Sequence, residues 1–167
     1  MIRSLLALTL APLLAAQAPP AADAFAPVRF LAGAWTGEGS GSPGTSVGAA
    51  AFRFELDGRV LVRRSHADVA ATPGRPAFRH EDLMTVFPEG GRLKAHYLDN
   101  EGHGIHYTVS EVPEGVAFTS EAGPGPRFRL SYLRRPGGAV AVRFEVAPPG
   151  KPEAFSPYLE GLTHRAD

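Results

Sequence analysis

The chain contains no cysteine among its 167 residues. That excludes disulfides, zinc–thiolate sites, a thiol nucleophile and a lipid-modified cysteine anchor. A surplus of charge is also missing: Lys plus Arg number 17 and Asp plus Glu number 17. Balanced charge supplies no electrostatic drive towards nucleic acid or an anionic membrane. Lysine is nearly absent, with Lys94 and Lys151 its only occurrences, and Trp35 is the single tryptophan. There is no Gly-x-Ser-x-Gly elbow and no glycine-rich loop leading into a helix, so nucleophile-elbow and phosphate-loop chemistry have no motif to rest on.

Long apolar runs are missing as well. The stretch Leu5 to Leu14, interrupted by Thr9 and Pro12, is too short to span a bilayer as a helix. It follows Arg3 and precedes the small residues Ala15, Ala16 and Ala18. Positive start, apolar middle and small-residue end make the three parts of a secretory signal. The expectation is a signal peptide over residues 1–24, cut between 18 and 24, and a mature domain over 25–167 that is periplasmic or secreted.

What the mature part has is period-2 alternation, with turn signals recurring along its length, and no amphipathic helical stretch. Phe25 to Ala32 reads as one helical turn at a barrel end. Strands are predicted over 34–39, 50–56, 59–68, 78–87, 92–98, 104–112, 116–120, 127–134, 139–146 and 158–165. Phe52, Phe54 and Leu56 are expected on one face, as are Leu93, Ala95 and Tyr97, and Phe128, Leu130 and Tyr132. About eight to ten short antiparallel strands with one apolar face should close into a barrel, because closure removes exposed edges. The predicted class is therefore all-β, a single antiparallel lipocalin-like barrel.

The segment Phe30-Leu31-Ala32-Gly33-Ala34-Trp35-Thr36-Gly37-Glu38-Gly39 resembles the opening of lipocalin-like, calycin-type barrels, whose first strand carries Gly-x-Trp. The stretch Tyr97 to His103, and the ending Phe155 to Gly161 followed by Arg165, resemble exported bacterial lipocalin-like families of unknown function. The resemblance implies that Arg165 packs on Trp35, a structural role for both. A weaker resemblance is to nitrobindin-like haem-binding barrels, in which a histidine near the start of the last strand ligates the iron. Here that position falls on Tyr158, with His164 nearby, and the Gly150-Lys151-Pro152 loop is longer than that family's.

The candidate ligand-binding residues are Phe54, Leu93, Tyr97, Tyr107, Phe118, Phe128, Phe144 and Tyr158. Tyr97, Tyr107 and Tyr132 are expected to turn their hydroxyls inward as polar handles. His96, His103 and His106 gather with Asp99 around one hairpin, and are read as solvated surface rather than metal ligands. Arg63, Arg64, Arg127, Arg129 and Arg143 are expected on outward faces. No pair of carboxylates is expected inside the apolar pattern, so no catalytic residue is assigned. The expected partner is a small apolar molecule, without nucleic acid, a membrane anchor or a required cofactor. The alternatives are a packed accessory module, or a haem protein or enzyme.

Overall fold

The computed structural model describes residues 23–166; the expected signal peptide lies outside them except for its last residues. Ten strands form one closed antiparallel barrel: β1 (Gly33–Gly41), β2 (Ser46–Glu55), β3 (Val60–Val69), β4 (Phe78–Glu89), β5 (Arg92–Asp99), β6 (Gly104–Val112), β7 (Gly115–Ser120), β8 (Arg127–Arg134), β9 (Val140–Ala147) and β10 (Ser156–Arg165). Each strand pairs with its neighbours in sequence, and β1 pairs with β10 to close the ring. The all-β class and the antiparallel barrel agree with the alternation read from the sequence.

Closure leaves the inner face as the core. Leu61, Met84, Val86, Val116 and Phe118 are fully buried there. An edge-to-face chain of rings crosses the interior, from Tyr97 through Tyr107, Phe118 and Tyr132 to Phe52. Such geometry sets a positive ring edge against a negative ring face.

One end is plugged. A 3-10 helix, Ala26–Leu31, buries Val28 and Leu31 against the barrel, and Phe25 meets Phe54 edge-on at 5.3 Å. Trp35 donates its Nε1 hydrogen to the Leu31 carbonyl at 2.7 Å. Arg165, directly opposite Trp35 in the β1–β10 register, lies 4.2 Å from the indole ring centre and donates to the carbonyls of Ala32 and Phe30. The flat guanidinium suits both tasks, stacking and forked donation.

Three expectations need correction. Leu56 does not continue the inward face of β2; it sits in the turn at φ 51° and is 71% exposed. The hairpin is closed by Gly58 and Arg59 donating to the Glu55 carbonyl, which takes Leu56 out of the strand. Arg63 does not point outward: it opposes Phe52 and Met84 on the inner face and is 5% exposed. Two carboxylates, Asp82 and Asp99, are cross-strand partners on β4 and β5 with side chains 5% and 4% exposed. Both lie on the inward phase set by Met84, Ala95 and Tyr97, within the pattern expected to hold no such pair.

Candidate functional site

The barrel interior is filled unevenly. Strands β4 to β9 point rings and branched side chains inward. On the other side, β1, β2 and β10 turn Gly37, Gly39, Gly48, Ala50 and Gly161 inward. Neighbouring backbones close up where side chains are missing. A Cβ on Gly48 would overlap the His66 carbonyl oxygen, and one on Gly37 would overlap that of Leu162.

A cavity of about 140 Å³ borders this thin wall. Its apolar boundary is Leu31, Trp35, Phe52, Val140, Val142 and Leu159. The small residues just named, with Ala67, form its near side. Its inward-facing polar residues are Ser46, Arg63, Ser65, Tyr132 and Thr163, and Glu38 and His66, on the outward phase of β1 and β3, border it as well.

Arg63 dominates the electrostatics. Its Nε donates to Asp82 Oδ1 at 3.0 Å, Nη2 donates to the same oxygen, and Nη1 donates to the Tyr132 hydroxyl. Ser65 donates to Asp82 Oδ2 at 3.0 Å, so both carboxylate oxygens are engaged. Burial works against the Arg63 charge, but the Asp82 carboxylate more than offsets it and its pKa rises. Burial raises the pKa of Tyr132, as it does for Tyr97 and Tyr107, so all three rings keep their protons at neutral pH.

A polar chain runs on from this pair towards the β5–β6 turn. His80 contacts the Tyr97 hydroxyl at 2.9 Å through Nε2 and Glu101 at 2.7 Å through Nδ1. Tyr97 donates to Asp99 at 3.2 Å. Asp99 also accepts from the backbone N–H groups of Glu101 and His103 and contacts the His103 imidazole. Burial pushes the Asp99 carboxyl up, but these hydrogen bonds outweigh it and hold it below its ordinary value.

None of the candidate ligand-binding residues borders the cavity. Phe54, Leu93, Tyr97, Tyr107 and Phe118 belong to the packed side of the core. Phe128 and Phe144 pack against the same core: Phe128 stacks on Phe144 at 5.9 Å, and Tyr158 meets Phe144 edge-on at 6.0 Å. Tyr158 is 39% exposed at an irregular register between Pro157 and Leu159. His164, opposite Thr36 on the outer face, is exposed and borders, with His66, a surface depression that Tyr158 does not line. A void of about 140 Å³ is well below the roughly 300–1,000 Å³ of sites for drug-sized ligands. It does not fit a haem.

His96 and His106 are cross-strand partners on the outer face, their Nε2 and Nδ1 atoms 2.5 Å apart. Arg129 is outward and pairs with Glu145, while Arg127 pairs with Glu153 and Arg143 with Glu160.

Alternation identifies inward positions, but a cavity lies where inward residues are small. The candidate rings lie on the filled side of the interior, and this cavity lies on the other. The signal for the empty side was the run of glycine and alanine at alternate positions of β1, β2 and β10. Neither a scan of protein-family models nor a search of curated proteins finds a match to this chain.

Proposed function

We propose that this chain is an exported lipocalin-like barrel that holds one small, mostly apolar molecule inside. The observation that carries the reading is the cavity of about 140 Å³ between Trp35, Phe52, Val142 and the glycine-rich wall. Close-packed interiors hold few spaces larger than a water molecule, so one of this size is a candidate for a ligand. An apolar cavity of roughly 150 Å³ is large enough to take benzene. The stacking of Arg165 on Trp35 supports the lipocalin-like reading. Export rests on the N-terminal signal pattern, and Phe25 belongs to the buried core, so a cut between 18 and 24 spares the barrel.

The test is calorimetric titration of the mature chain with benzene, alongside Ala50→Leu. Ala50 borders the cavity and faces Trp35 and Ser65 across its two neighbouring strands. The expected result is saturable binding by the wild type, abolished in Ala50→Leu with stability retained. Equal heats from both proteins would contradict an interior site.

A further inference from the structure

The polar groups of the cavity specify more than a size, and this step rests on the binding reading above. We infer that the ligand is a neutral molecule carrying a carbonyl-type oxygen, and that this oxygen accepts the hydroxyl proton of Tyr132.

Ser65 gives its proton to Asp82, and Thr163 gives its own to the Val140 carbonyl at 3.0 Å. Ser46 opens β2, three inward positions along from Phe52. Phe52 is the ring that meets Tyr132 edge-on at 5.6 Å, so Ser46 stands at the far end from the guanidinium. Tyr132 differs from Ser65 and Thr163: its oxygen accepts from Arg63, and its own proton has no acceptor among the described residues. Tyr132 is 4% exposed, so its proton must find its acceptor within the cavity, where a ligand oxygen would take the place of an ordered water. A donor left unmade in a buried site costs free energy that a matching ligand recovers. Accepting a bond from a cation also polarises the O–H and strengthens it as a donor.

A charged head finds no free counter-charge at this end of the cavity, since Glu38 and His66 lie on the outward phase of their strands. Arg63 and Asp82 neutralise each other, with side chains 6% and 5% exposed. A carboxylate ligand would add a second, unbalanced negative charge beside Asp82. An ammonium would face the guanidinium. Burying either without a partner is costly. A neutral acceptor meets the free proton and disturbs neither charge.

The test compares three six-membered-ring probes by calorimetry on the mature wild-type chain: cyclohexanone, methylenecyclohexane and cyclohexanecarboxylate. Cyclohexanone is expected to bind about five- to tenfold tighter than the hydrocarbon, the worth of one net hydrogen bond. The carboxylate is expected to bind weakest. In Tyr132→Phe the ketone preference should vanish while the hydrocarbon still binds. Should that variant fail to fold, the wild-type comparison decides alone. Equal affinity for ketone and hydrocarbon, or tightest binding of the carboxylate, would overturn the inference and leave the binding reading standing. Binding of none of the three would overturn both.

Discussion

Arg63 and Asp82 form a pair in which each charge is tolerated because the other is present. Removing one partner strands the other in a poorly solvated site, which typically costs about 3–5 kcal/mol. Asp82→Asn is therefore expected to lower unfolding stability by about that much in urea titrations, and a change below about 1 kcal/mol would show that water reaches Arg63 freely. Asp99 ties stability to pH. Its folded pKa is depressed, so its contribution is present above the ordinary carboxylate pKa of about 3.9 and is lost as pH falls through the lower, folded value. The urea midpoint should drop as pH falls from about 5 towards about 2, and drop less in Asp99→Asn. Leu56 stores strain, since a left-handed conformation costs a side-chain-bearing residue about 1–2 kcal/mol. Glycine gives back part of that through the freedom of its unfolded chain, about 0.5–1 kcal/mol. Leu56→Gly is thus expected to raise stability, by at most about 1.5 kcal/mol, the difference of those two effects.

The strands most legible in the sequence are those with bulky residues on alternate positions. β6 and β8 span 104–112 and 127–134 as predicted, because Ile105, Tyr107 and Val109, or Phe128, Leu130 and Tyr132, set the phase clearly. β2 begins at Ser46 rather than at 50, since Ser46-Val47-Gly48-Ala49 offers no contrast between its two faces. β3 hid its phase because Val60, Leu61 and Val62 are all apolar, so Arg63 beside Arg64 read as surface. Asp82 shares that fate, as its partner lies 19 residues away and only the β3–β4 register joins them. The glycine strands carry a prediction of their own. Gly48→Ala forces a methyl into the backbone of β3, and overpacking of this kind costs about 1–3 kcal/mol. A neutral result in thermal unfolding would mean that the wall yields. Trp35 fastens the helical plug to β1, so Trp35→Ala should cost more than about 3 kcal/mol, as large core truncations do.

For the whole molecule, ten short strands joined mainly by tight turns make a rigid ring, plugged at one end by residues 26–31 and hollow along β1, β2 and β10. The bulky side of the interior supplies stability and the small side supplies room. Whether that room is occupied is the central claim, and diffraction from crystals of the mature chain soaked in iodobenzene tests it most directly. Iodine's anomalous signal locates the ligand without reliance on affinity. The expected result is one strong peak bounded by Trp35, Phe52, Val142 and Gly161, absent in Ala50→Leu. Iodine found only on the outer wall, in the depression beside Thr36, Val47 and Leu162, or nowhere on the protein, would contradict the account.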